Sequence, residues 1–263
     1  MLNRLSRPVA LALCAAPVIA LLAVAGFAPL PFSLAQPGPT TDVLGESDGR
    51  PVIEITGAPT RDTTGKLRAV TIVATGPDAD VHLGDVLDGW FAEDRAVMPR
   101  DSVYPAGDST KEVEEHNKQE MKGSQDAATE AALGYLGDRD KDIRVSLQLG
   151  DVGGPSAGLL FSLGIVDMLD GDGSGGDLTG GKSIAGTGTI DASGKVGAVG
   201  GVSLKVQAAD RDGATVFLVP KAECADAKAS APASMRLIPV TTLKGAVTDL
   251  TNLGKGAGKV PSC

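Results

Sequence analysis

The sequence predicts a mixed α/β fold behind an N-terminal apolar helix, and three observations carry that prediction. Pro8–Ala28 runs about 21 residues without a charge, enough to cross the hydrocarbon of a bilayer as a helix. From position 143 onward, short β-branched runs alternate with helical patterns, an interleaving that marks an α/β domain. The composition is 42% hydrophobic but only 3% aromatic, so the core has to be aliphatic, built from Val, Leu, Ile and Ala.

At 263 residues the chain suits one or two domains. Its formal charge of −9 and pI near 4.7, with no basic patch, argue against a nucleic-acid partner. Met1–Ala35 reads as a targeting or anchoring segment, with Arg4 and Arg7 as the positive flank and Pro17 inside a tolerated span. A cleaved signal peptide is its rival, because Ala23-Val-Ala25 and Ser33-Leu-Ala35 resemble cleavage sites. Cys14 reads as a small apolar residue of this span. Gln36–Gly49 is polar and rich in Pro and Gly, a linker ending near residue 50.

Residues 51–123 read as a separate extracytoplasmic segment. Pro51–Thr56 and Leu67–Ala74 alternate apolar and polar, and with Arg61–Lys66 as their loop they predict a hairpin. Val81–Val97 predicts one or two short helices around Trp90, and Pro99–Asp108 a loop holding Arg100, Tyr104 and Pro105. Trp90 and Tyr104 are read as local packing, with contact to a substrate as the alternative. Thr110–Leu136 is helical in pattern, capped at Thr110 and interrupted at Gly123. Residues 124–263 form the second segment, with strands at Ile143–Leu149, Ile184–Ile190, Gly194–Val199, Val216–Pro220 and Leu237–Val240. Its helices are Leu159–Leu169, Lys205–Asp210 and Leu243–Leu250.

Two motifs in Asp170–Ser183 are deceptive. Asp170-Gly-Asp-Gly-Ser-Gly175 copies half of a calcium loop, but the position needing Glu holds Gly181, so an acidic loop without metal is expected. Gly176–Ser183 spells G-x-x-x-x-G-K-S. A phosphate loop follows a strand and opens a helix, whereas this one follows a Gly/Asp loop and precedes the strand at Ile184.

Gly150-Asp-Val-Gly-Gly-Pro-Ser-Ala-Gly158 lies between an apolar strand end and an apolar helix, so Ser156 sits at a strand-to-helix turn. Free N–H groups there can hold an oxyanion. The competing reading is an ordinary N-cap serine. Gly154–Gly158 also fits G-x-S-x-G, but that mechanism needs a histidine after the serine, and the two histidines, His82 and His116, both precede it. His116 lies in a charged, solvated run, and His82 between two apolar residues, so neither reads as the base. A buried lysine can serve instead when desolvation lowers its pKa. After Gly200-Gly201 a helix places Val202, Lys205 and Ala209 on one apolar face. A lysine there either acts as a base or snorkels to solvent.

Gly154–Gly158, Gly186-Thr-Gly-Thr-Ile-Asp191, Gly194-Lys-Val196, Gly200-Gly201 with Lys205, and Gly213–Pro220 resemble, in the same order, the proteolytic domain of Lon proteases. The likeness runs from near Ser124 to near Pro220, and Gly65–Ala74 is weakly similar to the first strands of such domains. The nearest likeness is to membrane-anchored, ATP-independent bacterial Lon-like proteases that usually carry a PDZ domain. The resemblance implies the Lon proteolytic fold and a Ser-Lys dyad carried onto Ser156 and Lys205. It places Thr187 beside the dyad as a hydrogen-bond partner of the lysine. Gly153 departs from the Asp that many Lon enzymes have before Gly-Pro-Ser. The seven residues Gly137–Ile143 leave no room for a PDZ domain between the long helix and the Ser156 block.

With that resemblance, an uncleaved single-pass anchor is preferred, with the catalytic domain extracytoplasmic. Outside the cytoplasm, Cys224 and Cys263 are expected to pair. The expected function is a serine endopeptidase acting on extracytoplasmic proteins without ATP, metal or other cofactor. Lys205 is the base, Ser156 the nucleophile, and N–H groups around Gly154, Ser156 and Ala157 the oxyanion donors. The alternative is a catalytically silent Lon-like scaffold that binds unfolded or partner proteins. Lon-like domains often form hexameric rings, but no residue read here sets a homo-oligomeric state.

Overall fold

The computed structural model describes residues 6–104, 109–137, 142–148, 154–256 and 258–263. In chain order, α1 (Arg7–Phe27) precedes β1 (Phe32–Asp42), β2 (Glu46–Ser47), β3 (Arg50–Pro51), β4 (Ile53–Thr56) and β5 (Lys66–Ala74). Then come α2 (Leu83–Phe91), β6 (Ala96–Pro99), α3 (Arg100–Val103), α4 (Thr110–Leu136) and β7 (Arg144–Leu147). A 3₁₀ turn at Pro155–Ala157 leads into α5 (Gly158–Leu169), followed by β8 (Ser183–Gly186), β9 (Thr189–Ile190) and β10 (Val196–Gly197). The chain closes with α6 (Val202–Arg211), β11 (Val216–Pro220), α7 (Cys224–Ser230), β12 (Arg236–Val240) and α8 (Leu243–Lys255). The architecture is mixed α/β, as the interleaved periodicities predict.

The chain divides into two compact units, Met1–Gln36 with Ala74–Thr110, and Pro37–Val73 with Lys111–Cys263. Strands β4 and β5 group with the later strands in the second unit. In the first unit α1 is apolar all round, holds Pro17, and buries no residue. By length and composition it is able to cross a membrane, a test that an N-terminal signal sequence also passes. Phe32–Ala35 pair antiparallel with Ala96–Pro99. Helix α2 lies close on this pair, since a Cβ on Gly89 would sit 2.8 Å from Leu34 Cδ2 and 3.1 Å from Val97 Cγ2. Tyr104 Oη donates to Thr75 O at 2.6 Å. The rest of its expected loop, 105–108, lies outside the described residues.

The second unit is a three-layer sandwich. Its sheet runs β12-β11-β8-β5-β1, with β5, β8, β11 and β12 parallel. Leu67, Ile184, Val216, Leu218 and Ile238 point to one face, under α4, α5 and α8. Val70, Ala185, Phe217, Val219 and Leu237 point to the other, under α6 and α7. Alternation along parallel strands buried on both sides produces this division. Helix α4 runs unbroken through Gly123, which is exposed, so its low helix propensity is offset by the packed face Met121, Ser124, Ala128, Ala131 and Ala132. Thr110, expected as its cap, instead donates its hydroxyl to Asp78 at 2.7 Å.

Three sequence expectations change. The hairpin does not form: β4 pairs antiparallel with β7 and β5 parallel with β8. Period-2 alternation sets which face is buried but not which strand is the partner. The loop after β4 closes elsewhere, with Arg61 N–H donating to Met168 O at 2.8 Å and its guanidinium to Gly175 O at 2.9 Å and Gly176 O at 3.1 Å. That guanidinium sits against Asp177 at 3.5 Å inside the calcium-like loop. The second change is the linker, since Gln36–Asp42 is strand. Pro37 and Pro39 lack ladder donors, and side chains supply contacts instead: Thr71 Oγ1 donates to Pro39 O and Arg211 Nη2 to Gly38 O, each at 2.8 Å. The third is α7, a helix the sequence reading missed, whose first residue Cys224 is joined to Cys263 by a disulfide with Cα atoms 5.5 Å apart.

The disulfide closes a separation of 39 residues. In the chain-entropy model that constraint contributes roughly 4 kcal/mol. Cys263→Ser should therefore lower the denaturant midpoint of unfolding and steepen its slope, because the freed unfolded chain is less compact, as measured by urea titration under non-reducing conditions. An unchanged midpoint would show that the bond adds no stability.

Candidate active site

Ser156 lies in the 3₁₀ turn that opens α5, half-buried, with Ala157 buried behind it. The turn is held from two sides. On one, α4 supplies Ser124, whose Oγ donates to Pro155 O at 2.9 Å, and the carbonyl of Asn117, which accepts Gly154 N–H at 3.4 Å. These residues are seven apart and share a helix face. Deeper in the same interface, buried Ser162 of α5 donates to Ala128 O at 3.1 Å. On the other side, Ser156 O accepts Gly188 N–H at 2.9 Å and Thr187 Oγ1–H at 3.3 Å, and Leu159 N–H donates to Gly188 O at 3.1 Å. Gly154 has φ +89° and ψ 160°, a conformation that other residues rarely adopt. Leu149 and Gly150–Gly153, including the Gly153 departure, lie outside the described residues.

Lys205 comes from the opposite face of the sheet. Gly201, in the left-handed conformation, starts α6, and Lys205 stands in its second turn among buried Val202, Leu204 and Val206. Its side chain is not snorkelling: the residue is 4% exposed. Nζ donates to Thr187 Oγ1 at 3.2 Å. Thr187 is fully buried, one residue beyond β8, with its N–H on Leu218 O at 3.1 Å. The two helix starts, α5 and α6, thus converge at the carboxyl end of a parallel strand, where α/β sheets place their ligand sites. The direct Ser156–Lys205 hydrogen bond expected from the sequence is not among those of the described residues. Thr187 stands between the two, accepting from the amine and donating to the Ser156 carbonyl.

Burial pushes the Lys205 amine down to about 8, because an ammonium loses its hydration there. Glu223, in the 3₁₀ turn before α7, acts against this: its negative charge favours the ammonium. Glu223 is itself pushed up by desolvation, and among the described residues no hydrogen-bond donor reaches its buried Oε2. Sequence reasoning missed Asn117, Ser124 and Glu223. The first two carried a faint signal, lying on one helix face, but Glu223 carried none, since α7 was not foreseen.

The remaining sequence candidates lie elsewhere in chemical role. His82 caps α2 in the first unit, its backbone N–H donating to Asp85 Oδ2 at 2.9 Å. His116 is half-buried on α4 rather than fully solvated. Lys182 and Ser183 lead into a strand, not a helix, so the G-x-x-x-x-G-K-S stretch forms no phosphate loop. Gly154 N–H, one expected oxyanion donor, is taken by Asn117 O.

A depressed lysine pKa is a stability cost. Between about 8 and the usual 10.5 the unfolded chain binds more protons than the folded one, so stability should rise with pH across that window. Below it the whole cost applies, on the order of 3 kcal/mol. Lys205→Met removes the cost, so thermal denaturation at pH 7 should show the variant more stable than the parent. A destabilised variant would mean that the amine is worth more to the fold through Thr187 than its burial costs.

No curated protein matches the chain. Residues 119–249 match the Lon protease (S16) C-terminal proteolytic domain. That span contains Ser124 of the α4 clamp, the Ser156 turn, Thr187, Lys205 and Glu223, while Asn117 lies two residues before it; the chain therefore carries a serine protease domain of the Lon family.

Proposed function

We propose that the protein is a membrane-anchored, ATP-independent serine endopeptidase that cleaves extracytoplasmic proteins with a Ser156–Lys205 dyad. The observation that carries this reading is a lysine amine buried in an apolar helix start and joined through one threonine to the backbone of Ser156. A neutral amine has two protons and one lone pair. One proton is spent on Thr187 Oγ1, which leaves the lone pair able to accept the proton of Ser156 Oγ. Thr187 is oriented for this, because its own proton goes to Ser156 O. Ser156 Oγ then attacks the peptide carbonyl, and N–H groups around Ser156 and Ala157 hold the oxyanion. Gly154 N–H joins them only on leaving Asn117 O. Lys205, now charged, returns its proton to the leaving amine, and water hydrolyses the acyl-enzyme.

The anchor is α1, with Arg4 and Arg7 on the inner side and the remainder outside, where ATP is lacking.

Ser156→Ala should abolish turnover of an unfolded protein substrate and labelling by a serine-directed electrophile, with the circular dichroism spectrum unchanged. A parent chain that binds unfolded protein yet neither labels nor cleaves would establish the silent scaffold instead. The lysine sets the pH dependence. Below about 8 the amine is charged, and acylation should fall about tenfold per pH unit. Glu223→Gln removes the charge that holds the ammonium, so the acid limb should move to lower pH. A limb that stays in place would show that Glu223 does not act on the amine.

A further inference from the structure

Helix α2 carries an apolar face with no partner. Leu83, Leu87, Trp90 and Phe91 fall at i, i+4, i+7 and i+8, a stripe about 100° wide on one side of the helix. They are 39%, 44%, 74% and 87% exposed. The flank beside Trp90 is the one that packs, with Val86 and Gly89 buried and Gly89 against Leu34 and Val97. Helix α2 is therefore already seated on β1 and β6, and the exposed stripe is additional to that core. A soluble surface rarely gathers its largest apolar side chains on one helix face.

The position of this face identifies its occupant. Helix α1 ends at Phe27, itself 80% exposed. Three residues later Leu30 N–H donates to Val81 O at 2.7 Å, and the two residues form an antiparallel bridge. The next residue, His82, is the N-cap of α2. Three residues span at most about 10 Å, the bridge adds about 5 Å, and two further residues about 7 Å, so α2 begins within roughly 20 Å of the point where α1 ends. Helices α1 and α2 also touch within the same unit. The polar residues of α2 are bound away from the stripe: Asp85 is held by the His82 N–H, and Asp88 by Arg95 at 2.8 Å.

We propose that the Leu83–Leu87–Trp90–Phe91 face of α2 lies in the interface of the bilayer that α1 enters, fixing the first unit at the membrane surface. This rests on reading α1 as an uncleaved anchor. A nine-residue helix with its aromatics at one end, beside a spanning helix, has the form of an interfacial element, with Trp90 and Phe91 at the headgroup boundary. Its polar residues are carboxylates balanced by Arg95 rather than a row of lysines, so the attraction is apolar and needs no anionic lipid.

Trp90 is the sole tryptophan of the chain, so its emission reports this face alone. The full chain is reconstituted in phosphatidylcholine vesicles, and flotation reports α1 separately. The expected result is that the chain floats, Trp90 emission shifts to the blue, and lipids brominated near the headgroup end of the acyl chain quench it. Aqueous iodide should quench it roughly threefold less than in the unfolded chain. Leu83→Asp with Phe91→Asp should still float but lose the bromolipid quenching and regain iodide quenching. Both sites are open to solvent, so circular dichroism should be unchanged. A chain that floats while Trp90 stays open to iodide overturns the interfacial placement and leaves the anchor standing. Shielding that grows only with protein density assigns the face to a second copy and overturns it too. A chain that fails to float overturns both readings.

Discussion

The candidate active site depends on keeping one amine out of water. Lys205 is buried on α6, together with Val202, Leu204, Val206, Ala208 and Ala209 of the same helix. The positive end of the α6 dipole and the loss of hydration both disfavour its charged form. Thr187 supplies the compensating hydrogen bond, and it can do so only because β8 carries the chain between the two packed layers. The sheet is the device that brings a residue from one helical layer and a residue from the other to the same strand end.

Seen from Ser156, the same economy holds. The turn has little regular hydrogen bonding of its own, so its carbonyls and amides are claimed by neighbours. Pro155 O goes to Ser124, Ser156 O to Gly188 and Thr187, and Gly154 N–H to Asn117. From Ser124 onward the buried face of α4 carries only small side chains, Ser124, Ala128, Ala131 and Ala132, so the helix is able to approach closely enough to do this. Precision at the serine is thus a product of the α4–α5 packing, not of the glycine-rich motif alone. Glu223 modulates the arrangement from outside, and the residue after it is tied to the last residue of the chain by the disulfide.

Burial also explains why aromatic residues matter so little to the interior. The largest fully buried side chains are two phenylalanines and otherwise Leu and Ile. The single tryptophan is instead exposed on α2, in the same unit as a helix that buries nothing. The core is mainly aliphatic with Phe161 and Phe217 as its aromatic members, while Trp90 and Phe91 stand exposed on α2.

What the sequence determined by itself was whatever depends on neighbours a few residues apart. The Thr110–Leu136 helix, the strand Val216–Pro220, the apolar helix behind Gly154–Gly158 and the lysine on the apolar face of α6 all follow from periodicity, and all stand in the structure. The order of the glycine-rich blocks was enough to expose the family. The tertiary structure decided what depends on closure over long separations. Strand β4 chose β7 across some ninety residues, because alternation specifies a face and not a partner. A Pro- and Gly-rich stretch became strand because Thr71 and Arg211 arrived to bind its carbonyls. And it was the fold that set Thr187 between serine and lysine, since a hydroxyl's two partners are fixed by where three separate elements end, which no local pattern records.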